Sequence, residues 1–267
     1  SIGNISGFEK DSFMPVLDVQ LKVEEGTFSY TYLPLPFKNI RGDFGLYTDL
    51  LTDGISVLQI HNARANTPKS SFRSQGKLDN LFGDVHFDLN TQARLMIDEF
   101  QALLPEGMDA SLGGRVQGNI KSDFTLSQAM NLTIEEMKLS GKLMAHDLDI
   151  AYDELWIKAD RSEIEFALPN PFARYHDASF IFADIHFDSF RASDPALEHV
   201  MLSNAHFMLE ASDVRNGGDI PNIICIFSLG HLLMEMDTVM LEISQPNGSL
   251  TLSPIPGKPD HPEILLS

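Results

Sequence analysis

The chain has 267 residues, 43% of them apolar, which excludes a disordered protein and leaves room for one large core or two smaller ones. Its 38 acidic residues against 19 basic ones give a formal charge of −19, which repels nucleic-acid phosphates and anionic membrane surfaces at long range, so no nucleic acid is expected as a partner. Cys225 is the single cysteine, so no disulfide can close within the chain, and its apolar surroundings mark it as a packing residue.

In chain order, Leu17, Val19, Leu21 and Val23 alternate with Asp18, Gln20 and Lys22, the period of a half-buried strand. Gly26 interrupts the run, Phe28, Tyr30 and Tyr32 resume it, and Leu33-Pro34-Leu35-Pro36 closes a hairpin-like unit, because proline donates nothing to a ladder. Strands follow at Asn39–Leu46, Ile55–His61, Ser70–Leu78 and Gly83–Asn90, with Thr52-Asp53-Gly54 as one turn. Helical spacing of Ala93, Met96, Phe100 and Leu103 predicts an amphipathic helix over Thr91–Leu104, capped by Asn90 or Thr91 and ended by Pro105-Glu106-Gly107. Leu112–Leu126 returns to strand, where Gly113, Gly114 and Gly118 predict bulges or bends rather than a phosphate loop.

The second half reads as short strands at Leu139–Leu143, Leu148–Tyr152, Leu155–Ala159, Ser162–Leu168, Ala178–Phe190, Val200–Asp213, Thr238–Gln245 and Ser249–Ser253. Pro221–Met236, apolar around most of its circumference, predicts a second helix buried against the sheet. The fold class expected is mainly β: a long curved antiparallel sheet of repeated strand units, groove-like or sandwich-like, with about two short-to-medium helices on its apolar face. The whole chain, 1–267, is expected to be one β domain, with two pseudo-repeats, 1–130 and 131–253, as one division. Residues 254–267 are expected as an exit tail or linker.

The pentapeptide Asp84-Val85-His86-Phe87-Asp88 returns as Asp184-Ile185-His186-Phe187-Asp188. On a strand, Val85, Phe87 and Leu89, or Ile185 and Phe187, share one face, and the Asp and His side chains share the other. Alternate Asp and His can ligate a metal, but a solvated strand face has the same composition, and the solvated reading is preferred. No metal or other cofactor is expected. His-Glu-x-x-His, Cys-x-x-Cys and Gly-x-Ser-x-Gly are all absent, so the chain is read as a non-enzyme. Eighteen Phe against one Trp and five Tyr favour a dry apolar surface over a sugar- or base-stacking platform.

Several stretches together resemble the AsmA-like family of bacterial envelope proteins, β-rich chains related to bridge-like lipid transporters. Leu21–Tyr32 with Leu33-Pro34-Leu35-Pro36-Phe37-Lys38-Asn39-Ile40 resembles the family's strand, Leu-Pro turn and following strand. The segment ending Leu103-Leu104-Pro105 before Leu112-Gly113-Gly114-Arg115-Val116-Gln117-Gly118 is similar to its short helix and glycine-flanked strand. Leu139-Ser140-Gly141-Lys142-Leu143, running on through Leu148-Asp149-Ile150, and Leu202-Ser203-Asn204-Ala205-His206-Phe207 resemble further strand units, so the likeness runs over nearly the whole chain.

The resemblance implies a concave apolar groove that holds phospholipid acyl chains, in the periplasm or cell envelope, with envelope proteins as further partners. Val85, Phe87, Leu89, Phe166, Leu168, Ile185 and Phe187 are the groove candidates. The family commonly carries an N-terminal membrane anchor; here no secretory leader and no apolar run of about 18 residues is seen, so an anchor is expected outside these residues. Ser1 stands where an initiator Met would, which is expected of a processed chain or of a segment excised from a longer one. The alternative reading is a closed β-sandwich serving adhesion or assembly, with the same apolar residues covered by protein.

Overall fold

The computed structural model describes residues 2–9, 12–30, 33–49, 55–104, 108–131, 133, 136–169, 181–193, 198–212, 221–236, 239–255 and 258–267. The chain is mainly β. The strands are β1 Ile2–Glu9, β2 Ser12–Tyr30, β3 Leu33–Asp49, β4 Ser56–Asn66, β5 Ser71–Asp79, β6 His86–Met96, β7 Ala110–Thr125 and β8 Lys138–Tyr152. They continue with β9 Leu155–Leu168, β10 Ile181–Ser193, β11 His199–Ser212, β12 Asn222–Ser228, β13 His231–Met236, β14 Val239–Ser244, β15 Asn247–Ile255 and β16 Lys258–Leu266.

Hydrogen bonding follows chain order from β1 to β12 and then passes to β15 and β16, while β13 joins β11 to β14. Successive strands pair antiparallel, as the registers β1–β2, β2–β3, β3–β4, β4–β5, β9–β10 and β10–β11 show, and the tight β8–β9 reversal is too short for a parallel crossover. At Asp153, φ is 53°, and the β8–β9 reversal takes two residues, Asp153-Glu154. Two compact units result: residues 1–93, 119–132 and 137–139 form the first, and 94–118, 133–136 and 140–267 the second.

Within the first unit, cross-strand register sets Val19, Leu46, Leu58 and Leu78 in one apolar row and Leu21, Phe44 and Ile60 in the next, across β2, β3, β4 and β5. Within the second, Ile164, Ile185, Phe207 and Phe227 form a row across β9 to β12. Phe166, Ala183, Leu209, Cys225 and Leu250 form the neighbouring row, which reaches β15. Alternation puts the polar residues of each strand on the other face.

Little of this apolar surface is packed away. Among the described residues only Leu35, Ala145, Ala159, Leu168, Phe182, Ala205, Ala211 and Leu229 are buried hydrophobics. The accessible surface is 17277 Å².

Three expectations are corrected. Over Thr91–Leu104, the first six residues extend β6, and only Ile97–Leu103 turns, as a 3-10 helix that buries Glu99 and leaves Leu103 exposed. Met96 offers that helix no side-chain cap, and Gln101 instead accepts from Leu112 N at 2.9 Å, tying the turn to β7.

Pro221–Met236 forms no helix. It is β12 and β13, one strand interrupted at Leu229-Gly230, with β11 register kept on both sides: His206 opposes Ser228, and Ser203 opposes His231. Its apolar residues fall in both phases of a strand, a pattern that periodicity alone cannot tell from a buried helix, and its Ile and Phe content favours the sheet. The interruption has a physical cause in the neighbouring strands. Asn204 (φ 46°) and Gln245 (φ 54°) are left-handed, and Pro246 has no N–H. The freed groups pair locally: Gly230 N donates to Ser203 O at 2.9 Å, Leu229 N to Pro246 O at 2.9 Å, and Gln245 N to Gly230 O at 3.0 Å.

Third, within the segment expected as an exit tail, Lys258–Leu266 forms β16, which pairs with β15 and sets Leu252 against Ile264. A helix that the periodicity did not reveal is α1, Leu126–Asn131, which buries none of its residues. Among the described residues no helix is long and apolar enough to cross a membrane.

Candidate functional site

The seven groove candidates divide between the units. In the first, Val85 directly precedes β6, and its carbonyl accepts from Leu126 N at 2.8 Å. Phe87 lies 5.4 Å from Phe124 of β7, and Leu89 accepts at its carbonyl from Ser122 Oγ at 3.4 Å. In the second, Phe166 opposes Ala183, Ile185 sits between Ile164 and Phe207, and Leu168 is buried. Phe187 meets Phe190 at 5.2 Å and Phe207 edge-on at 6.2 Å. All but Leu168 are half-buried. Phe207, Leu209, Phe227 and Ile223 belong to the same apolar surface and were missed; strand register alone reveals them, and a single strand's sequence does not state its neighbour.

On the polar faces the twin pentapeptides are wired differently. His86 lies in a ladder across four strands. Lys77 Nζ meets Asp79 Oδ2 at 2.7 Å, His86 Nδ1 meets the same oxygen at 3.4 Å, His86 Nε2 meets Asp123 Oδ1 at 2.8 Å, and Lys138 Nζ donates to Asp123 Oδ2 at 3.0 Å.

Charges alternate along this ladder, and each shifts its neighbour. Hydrogen bonding to Asp123 and then to Asp79 raises the His86 pKa against the effect of burial. His86 and Lys138 hold Asp123 below the usual carboxylate range. For Asp79, burial opposes ionisation, and hydrogen bonds from Lys77 and His86 together outweigh it. The Lys77 ammonium is stabilised in turn by Asp79.

Asp84 belongs to a turn, where its carboxylate accepts from Ser127 N at 2.8 Å and from Ser127 Oγ at 2.6 Å, which lowers its pKa. It thereby helps to start α1. Thr125 and Gln128 complete a reciprocal cap: Thr125 N donates to Gln128 Oε1 at 2.8 Å and Gln128 N to Thr125 Oγ1 at 3.3 Å. The signature Thr125-Leu126-Ser127-Gln128 is legible in the sequence as a capping box.

The second copy sits inside β10. His186 stacks on His206, its direct partner on β11, with ring centroids 4.0 Å apart and planes 8° apart. Asp184 Oδ1 lies 3.0 Å from Nε2 of both rings. Cys225, in the apolar row of Phe166, Ala183 and Leu209, is half-buried, and burial pushes its thiol pKa up.

What fold and site define is a β-sheet protein in which, within each unit taken by itself, strands carry apolar rows on one face and ordered Asp/His groups on the other. Comparison with protein-family models, with curated proteins and with solved structures finds no match to the chain.

Proposed function

We propose that the chain is a non-enzymatic segment of an AsmA-like bacterial cell-envelope protein that holds or conducts phospholipid acyl chains along its apolar sheet face. It would act in the periplasm in support of outer-membrane homeostasis, with the membrane reached through segments outside these residues. The observation that carries this reading is the row system of the second unit. Ile164, Ile185, Phe207 and Phe227 run contiguously over four strands and stay half-exposed, so an apolar ligand reaches them without unfolding the sheet.

Each buried methylene contributes about 0.8 kcal/mol, so ten of them on such a face give roughly 8 kcal/mol before ordering costs. No charged contact is required. A formal charge of −19 disfavours anionic headgroups over zwitterionic ones at low salt, while the acyl chain itself is indifferent to it.

Mass spectrometry of gently purified protein is expected to find co-purifying phospholipid, and delipidated protein is expected to take up a fluorescent acyl probe. Protein that carries no lipid and takes up no probe sinks the reading and leaves the ligand-free β module.

A further inference from the structure

Asp184, His186 and His206 converge in a way that their counterparts around His86 do not. We propose that they form a binding site for one divalent transition-metal ion of the zinc class, joining β10 to β11. It lies on the face opposite Ile185 and Phe187, and it stands independently of any lipid reading.

The geometry supplies the argument. His186 and His206 are directly opposed in register, so the pairing of β10 with β11 brings two imidazoles side by side. Both Nε2 atoms lie 3.0 Å from one carboxylate oxygen of Asp184. A ligand atom from each of the three residues falls within 4.8 Å of the others. In a tetrahedral zinc site with bonds of about 2.0–2.2 Å, adjacent donors lie roughly 3.3 Å apart, so the two His–Asp spacings need only a few tenths of an ångström of adjustment. Two imidazoles and a carboxylate are a donor set that suits zinc and its neighbours better than calcium or magnesium. The stacked rings must splay slightly to aim both lone pairs at one ion, and His186, which is exposed, is free to do so. Three protein ligands leave a fourth position for water.

The first pentapeptide is an internal control. His86 spends its two nitrogens on two different carboxylates, and each of those carboxylates already holds a lysine. Its cationic form is satisfied there, and no three donors converge on a point. Around Asp184 the cations are placed elsewhere: Arg161 pairs with Glu163 and Lys142 with Glu165, and among the described residues no Lys or Arg pairs with Asp184.

Calorimetric titration of the metal-stripped full chain with zinc alone is expected to show one ion per chain. His186→Asn and His206→Asn should each weaken binding at least tenfold, while His86→Asn leaves it unchanged. Binding that persists in both variants of the pair, or that His86→Asn removes equally, overturns the assignment. Should an Asn variant fail to fold by circular dichroism, cobalt(II) added to the unaltered chain still decides. Intense visible bands of a four-coordinate nitrogen and oxygen environment support the site, and the spectrum of the hydrated ion alone overturns it.

Discussion

His86 sits between Asp79 and Asp123, and this placement fixes the sign of its pH response. An unfolded histidine titrates near 6.5, and the folded His86 lies above that value because both carboxylates favour the cation. Its contribution to stability is therefore complete below about pH 6.5 and is lost as pH rises through the raised folded value. For Asp79 and Asp123 the sign reverses: their contribution is present above about pH 3.9 and is lost as pH falls through their depressed values. A proton NMR titration should give His86 a midpoint above 6.5, with Asp123→Asn bringing it down; an unmoved midpoint contradicts the ladder. Gly76 is a second residue with a fixed role. Its φ is 138°, and a Cβ there would stand 2.0 Å from the Asp88 carbonyl oxygen of the adjacent strand. Gly76→Ala is expected to destabilise the protein by roughly 1–3 kcal/mol, read from the urea midpoint.

Elements here are decided by how each residue's neighbours use its hydrogen bonds. Helix α1 is only six residues long and buries nothing, so its stability rests on its start: Asp84, Thr125 and Gln128 satisfy the first amides. Thr125→Ala should cost about 1 kcal/mol in chemical denaturation, and Thr125→Ser should recover most of it, since serine restores the acceptor. The capping-box signature of this element stands in the sequence, although the strand expected over Leu112–Leu126 runs through its start; the spacing over Thr91–Leu104 that predicts a helix is satisfied equally by a strand followed by a short 3-10 turn. Pro221–Met236 failed for a different reason. A segment apolar on all sides carries no period, and the breaks at Asn204, Leu229-Gly230 and Gln245-Pro246 belong to three strands at once, which no single stretch of sequence records.

For the molecule as a whole, the half-exposed apolar side chains are the property on which the proposed acyl-chain binding rests. Substituting a charge in a row tests whether that surface meets an acyl chain or ordinary protein packing. Phe187→Asp is expected to lower acyl-probe affinity at least tenfold with the fold retained by circular dichroism, and Phe207→Asp should do the same, because the two rings touch. Loss of folding in both, with no probe bound by the parent protein, returns the surface to the role of a core. Phe87→Asp applies the same test within the first unit, where Phe124 is the ring that loses its neighbour.

By itself the sequence determined that the chain is mainly β, where most strands run and which side chains of each strand share a face, because alternation is a local property of a pleated backbone. Only the tertiary structure decided which strand lies beside which. Register then made one His-Asp pentapeptide a rung in a charge ladder and the other half of a stacked histidine pair. Those differences come from Asp79, Asp123, Lys138 and His206 on adjacent strands, and a strand's own residues do not encode its partners' positions.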